Sequence, residues 1–391
     1  MVQYAKQAGH RNKNPGLSVT GYQSGEQGDL RQDPSKVRNS FQQTPRVQPP
    51  HRRPHRPVRR FQNPRRRQNK KNGSRQLTRQ QSSSLDFFSR GIMSEPIFPQ
   101  ISAGLMKTRS LYNQLKTETK KNLGTGSVST LFQAIFLESI AYLDRTAQVP
   151  ITSKVEGKTY FLFSSGKKTS RAVNADLYLS DPTSLNPFFM AMQSNDWEAL
   201  SAEEITQQAY TLAMAFITSV DLQKTGDVKT PGTFFELLCG HLVTLLLGVQ
   251  PKKRIPVLNL DQTATLPTDF IFDLGENRPK FHVPIKTSTR ERVIQVWAHQ
   301  RVLDGIYGLE RFKGTLICLS EVKKNAATHV VTEICLPTQW KVYQSFIARM
   351  HRVYYFDLPS KYEALNRQIP RITVLPFGSL FKEVERLSAG E

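Results

Sequence analysis

Cysteine is scarce, acid is outnumbered by base, and no run of eighteen apolar residues occurs anywhere in the 391 residues. The three cysteines, Cys239, Cys318 and Cys335, lie inside apolar runs, with no CxxC pair and no Cys/His spacing around them. That pattern excludes a zinc site of the usual kind and argues against a disulfide framework, leaving small buried hydrophobes in a reducing compartment. Without a long apolar run a membrane span is not expected. Met1–His10 also has no apolar stretch of the kind a signal peptide carries. A cytoplasmic protein is the expectation.

Hydrophobic residues make up 38% of the chain, low for a compact globule, but the shortage is local. The first 90 residues hold almost no apolar run. They carry 20 Lys and Arg against 4 Asp and Glu, whereas the other 301 carry 34 against 28. Most of the net charge of +22 therefore belongs to a tail, which includes the stretch HRRPHRPVRRFQNPRRRQNKK from His51 to Lys71. Such a composition cannot bury enough surface to offset ordering entropy, so residues 1–91 are expected to be a disordered basic tail. Basic tails favour polyanions by counterion release. This one is either a DNA-gripping arm or a dispensable solvated extension.

Beyond the tail two regions are expected. Residues 92–225 read as a mainly helical subdomain. Val128–Leu143 repeats apolar residues at three and four, Ala209–Val220 continues as a buried helix, and Lys158–Phe163 reads as a strand before a basic turn, Ser164–Arg171. Residues 226–391 change character. A helix over Gly232–Leu247 is apolar nearly all round. Strand, turn and strand follow at Phe270–Phe272 and Lys280–Ile285, then a helix from about Thr289 to Gly305. Strands are expected at Gly314–Leu319, Val330–Cys335 and Val353–Leu358, with a helix over Gln339–His351. This order predicts an α/β fold, a mixed central sheet flanked by helices.

Within that core the hairpin frames two residues of opposite charge. Asp269 opens its first strand and Lys286 ends its second, seventeen positions later, so the two can meet at one edge of the sheet. A magnesium-dependent nuclease needs this pairing: a carboxylate to hold the hard cation beside the scissile phosphate, and a cation to orient water and offset developing charge. Glu236 lies on the preceding helix, where an acid among apolar residues needs a partner or a job.

Asp269 and Lys286, preceded by a Glu-bearing helix, resemble the core of type II restriction endonucleases of the PD-(D/E)XK superfamily. Gly232-Thr-Phe-Phe-Glu236 is similar to that family's glycine-led helix start. Pro267-Thr-Asp269 resembles its Pro-Asp strand with one residue inserted. Lys286-Thr-Ser-Thr-Arg290-Glu291-Arg292 resembles the lysine and Arg-Glu-Arg helix of the EcoRII-like branch. The resemblance covers about positions 230–305. It implies Mg²⁺ held by Asp269 and Glu236, with Lys286 positioning water. It also implies Arg290, Glu291 and Arg292 reading base edges at a short G·C-containing site in double-stranded DNA. A homodimer, and a methyltransferase acting on the same site, are further implications.

The chain departs from that pattern. Pro284 stands where the superfamily has an acid two residues before the lysine. His299 stands where the EcoRII-like branch supplies its acid, about thirteen residues beyond it. The third ligand is thus left among His299, Gln300, Asp273 and Asp304. Glu321-Val-Lys323 offers a rival acid–lysine pair, with Asp304 as its upstream aspartate. Two other functions compete: a non-catalytic packaging protein that uses the basic arm, and a nuclease serving repair.

Overall fold

The computed structural model describes residues 108–389 apart from 225, 258–263 and 291. The basic tail, the start of the expected helical subdomain and Glu291 therefore lie outside the described residues. The fold is α/β, a mixed sheet flanked by helices, as the sequence predicts.

Helices α1 (Thr108–Lys121) and α2 (Gly126–Leu143) come first. On α2 the three–four repeat buries Val128, Phe132, Ile135, Phe136 and Ile140. A small antiparallel sheet follows: β1 (Ala147–Ile151), β2 (Tyr160–Ser165), β3 (Lys168–Thr169) and β4 (Val173–Asn174). The expected strand and basic turn correspond to β2 and the β2–β3 hairpin. Helices α3 (Asn186–Ser194), α4 (Ala202–Gln223) and α5 (Lys229–Leu247) come next. A capping box starts α4: Ser201 Oγ accepts from the Glu204 N–H at 3.1 Å, and Glu204 Oε2 from the Ser201 N–H at 2.7 Å. By length and composition α2 and α5 could cross a membrane. Both bury much of their surface in the protein, as core helices do.

The main sheet contains β5 (Lys252–Pro256), β6 (Thr265–Asp273), β7 (Lys280–Val283) and β8 (Ile285–Lys286). After α6 (Val293–Tyr307) come β9 (Phe312–Cys318), the hairpin β10 (Val322–Lys324) and β11 (Val331–Glu333), and α7 (Pro337–Phe346). The chain ends with β12 (Met350–Tyr355), α8 (Ser360–Glu363), β13 (Val374–Pro376) and α9 (Ser379–Ala389). The sheet order is β13-β12-β9-β7-β6-β5, with β8 also on β9. The β5–β6 and β6–β7 pairs are antiparallel and the rest are parallel.

Strand alternation sorts the two faces. Phe270, Phe272, Val283, Ile285, Ile317 and Tyr354 join one cluster with residues of α2, α4, α5 and α9. Leu316, Cys318, Val353 and Tyr355 join another with α6 and α7. The expected helical subdomain shares the first of these clusters with the sheet. Since successive side chains point to opposite faces, Asp269, His282 and Lys286 fall on the α6 side. Glu236, on α5, belongs to the opposite layer.

Several expected boundaries shift, two of them at helices near the site or the sheet. The helix predicted from Thr289 begins at Val293, because residues 288–289 are held by side-chain contacts described below. The helix expected over Gln339–His351 stops at Phe346, and Met350–His351 enter β12, where Met350 pairs with Gly314 of β9.

Gly240 fixes how closely α5 approaches the sheet, since a Cβ there would lie 2.5 Å from the Phe270 ring. Gly240→Ala is expected to destabilise the fold by about 1–3 kcal/mol through overpacking; an unchanged urea midpoint would contradict this. Burial also holds His241, His282 and His351 largely neutral, each lowered from 6.5 to about 4. Between those values the unfolded chain binds protons that the folded chain refuses. Stability is therefore expected to be intact above about pH 6.5 and to fall toward pH 4, as urea unfolding across that range would read.

Candidate active site

The β6–β7 ladder runs from Asp273↔Lys280 to Phe270↔Val283 and stops there. Pro284 has no N–H to continue it. The chain resumes as β8, which pairs with β9 at Ile285↔Ile317 and Lys286↔Cys318. At this break the Asp269 side chain takes over the role of backbone. Its Oδ2 accepts the Ile285 N–H at 2.8 Å and the Lys286 ammonium at 2.5 Å. Both side chains are about three-quarters covered, at 26% and 23% exposure. The two residues picked out by spacing are thus in direct contact.

Asp269, Lys286 and Arg292 border two cavities. The wider, of about 980 Å³, lies among the β2–β3 hairpin, the α4–α5 connection, the β8–α6 turn and β10. Glu236 and Arg290 line it as well. Glu236 has the partner its position demanded: its Oε1 meets Lys253 Nζ at 2.6 Å. Lys323 and Lys324 line the cleft too and bring positive charge. Arg171 also lines this cleft, but it is engaged by Asp221, with Nε–Oδ2 at 2.8 Å and Nη2–Oδ1 at 3.0 Å. The narrower cavity, about 310 Å³, is lined by Pro267, Thr268, Asp269, His282, Pro284, Lys286, Arg292, Gln295, Val296 and His299.

The alternatives for a third ligand separate clearly. Asp273, four residues along the same face of β6, pairs with its cross-strand neighbour Lys280 at 2.5 Å. Gln300 is buried, donating from Nε2 to Asp304 Oδ1 at 2.9 Å and to the Phe312 carbonyl at 2.8 Å, while its Oε1 faces His282 Nδ1 at 3.1 Å. Asp304 is occupied by that amide, and burial raises its carboxyl above the usual range. Only His299 of the four lines a cavity together with Asp269 and Lys286.

Glu321 is not half of a second acid–lysine site. It is 1% exposed and turned inward, away from the exposed Lys323. Its Oε1 accepts from Thr289 N at 2.7 Å, Thr289 Oγ1 at 2.6 Å and Tyr355 Oη at 2.9 Å; its Oε2 accepts from Ser288 Oγ at 3.0 Å. Burial pushes its carboxyl pKa up, and these four donors oppose that. The contacts hold residues 288–289 out of the helix, so Arg290 and Arg292 sit in a turn before α6 instead of in its first turn. Sequence reasoning missed this brace, although a Glu separated by one residue from the apolar run Leu316–Leu319 was a signal. It missed His282 too, a lone polar residue between Phe281 and Val283 in a buried strand.

As for a metal, no group of three or more His, Cys, Asp or Glu side chains placed to hold an ion occurs among the described residues. Mg²⁺ needs only one or two protein carboxylates and keeps several waters. Asp269 and Glu236, facing one cleft, fit that minimum.

No family model and no curated protein sequence matches the chain. Among solved structures the fold is similar to the Type IIP restriction endonuclease Kpn2I, with a TM-score of 0.62 and 22% identity over 72% of this chain and 97% of that one. A second structure, the restriction endonuclease PspGI with substrate DNA, aligns with a TM-score of 0.35 and 12% identity over 73% and 94%; that similarity is too low to build on. The Kpn2I match establishes a restriction-endonuclease-like fold. The likeness in fold spans 72% of this chain, well beyond residues 230–305.

Removing the brace tests its role. Glu321→Ala strands buried donors on Ser288, Thr289 and Tyr355, at about 1–3 kcal/mol for each left unsatisfied. Tryptic cleavage after Arg290 and Arg292 is expected to accelerate selectively; unchanged cutting there would contradict the assignment.

Proposed function

We propose that this protein is a site-specific endodeoxyribonuclease that hydrolyses phosphodiester bonds in double-stranded DNA with Mg²⁺. The observation that carries the reading is the Asp269–Lys286 contact at the sheet break, bordered by a wide cleft with Arg290 and Arg292 on its rim. The fold adds support, since a restriction endonuclease is built on the same architecture.

When bound, the ion supplies positive charge against the negative charge developing on the phosphate. Asp269, anchored through Oδ2 by the Ile285 N–H, is the carboxylate that holds it. Glu236, steadied by Lys253, is the second. Lys286 exchanges its contact with Asp269 for one with the attacking water, orienting it and offsetting the negative charge that develops on the phosphate oxygens beside it. Arg290 and Arg292 offer paired N–H donors to guanine O6 and N7 in the major groove, which discriminates by about 1–3 kcal/mol per bidentate pair. The site proposed is accordingly short and G·C-containing. Cutting both strands calls for two active sites, so a homodimer is part of the proposal. A methyltransferase protecting the same sequence would complete a restriction system.

Lys286→Ala is expected to keep retarding duplex DNA in a gel while losing cleavage of plasmid in Mg²⁺. Full cleavage by that variant would remove the mechanism. Retardation of intact DNA by the wild type, with no cleavage, would favour the packaging reading instead.

A further inference from the structure

Two hairpins that the proposed chemistry does not use, β2–β3 and β10–β11, border the wide cleft. They are far apart in sequence, yet they are built into one unit. The Val331 N–H donates to the Thr152 carbonyl at 2.9 Å, and the Lys154 N–H donates to the Val331 carbonyl at 2.9 Å. Val331 and Val322 also pack with Tyr160 and Ala172 in a small apolar cluster. Lys324 closes the junction: its ammonium donates to Thr169 Oγ1 at 2.9 Å and to the Ser170 carbonyl. The adjoining Arg171 is clamped to Asp221 on α4 by the bidentate pair described above. The basic turn seen in the sequence is therefore anchored, and β10–β11 is pinned to it.

The charges lining the cleft do not balance. Each of its acids has a cation of its own: Asp221 has Arg171, Asp227 has Lys224, Glu236 has Lys253 and Asp269 has Lys286. Lys229, at the start of α5, and Lys323, on β10, line the cleft as well. Both are exposed, and neither has an acid paired to it among the described residues. The surplus is positive, and lysine presents it as point charges on flexible stems. Such charges suit phosphate oxygens and carry no sequence information.

We propose that Lys229 and Lys323 grip backbone phosphates of duplex DNA lying in this cleft. Lys324 is a positioning residue: by pinning β10–β11 to the β2–β3 hairpin it fixes where Lys323 stands. The inference rests on the nuclease reading for the choice of duplex DNA as the occupant. It divides the work of the cleft. The lysines hold the duplex in register without reading it, while Arg290 and Arg292 read base edges.

Bulk affinity would blur the test, because residues 1–90 carry 20 Lys and Arg whose charge favours any polyanion. Labelling resolved by residue avoids this. The full chain is acetylated with an N-hydroxysuccinimide ester in EDTA, with and without saturating duplex, and each lysine is read by mass spectrometry. Duplex is expected to protect Lys229 and Lys323 and to leave Lys120, on α1 outside the cleft, reactive. Lys323 labelled equally fast with and without duplex would overturn the proposal. In plasmid cleavage, Lys323→Ala is expected to raise KM roughly eightfold at ~0.1 M salt with little change in kcat, the signature of one lost phosphate contact. Lys324→Met is expected to raise KM similarly although Lys323 is intact, and Lys324→Arg to restore most of it. A wild-type KM in Lys324→Met would overturn the positioning role. Cleavage in Mg²⁺ with Lys323 unprotected would sink the phosphate grip alone, whereas protection of Lys323 without cleavage would sink the nuclease reading alone.

Discussion

Asp269 Oδ2 accepts two hydrogen bonds, one from a backbone N–H and one from an ammonium, at the point where Pro284 interrupts the sheet. The backbone contact is obligatory, because beyond Val283 the ladder to β6 has ended and a covered N–H needs a partner. The ammonium contact follows from the pleat: two residues beyond the proline, Lys286 returns to the face that Asp269 occupies. One carboxylate oxygen therefore both repairs the sheet and holds the candidate catalytic pair together. The two cavities meet at this pair, and the proposed chemistry depends on its geometry.

Around the pair, two buried polar systems act as scaffolding. Glu321 holds Ser288 and Thr289 and so sets where α6 begins and where Arg290 and Arg292 stand. Asp304, Gln300 and His282 form a relay across the α6 face of the sheet. The first ties a buried carboxylate to the backbone between β8 and α6, and the second ties α6 to β7 and β9.

Much of this was legible in the residues. The Asp269–Lys286 spacing across a short turn placed them at one edge, and alternation of apolar residues located β6, β7, β9 and β12. Less legible were features that depend on contacts distant in sequence. The charged run Arg290–Arg292 reads locally as a helical turn, and only the carboxylate of residue 321 holds the preceding residues extended. Glu321-Val-Lys323 reads locally as an acid–lysine pair, yet burial of one member and exposure of the other divides it. Glu236 looked like a buried acid in an apolar helix, whereas Lys253 on β5, a strand that no periodicity announced, supplies its partner.

The most direct test of the account is to incubate the full chain with plasmid and Mg²⁺ and sequence the ends produced. The account predicts ends that all map to one short sequence containing G·C pairs, cut at a constant position on each strand. Ends scattered over unrelated sequences, or a plasmid that stays closed, would contradict it.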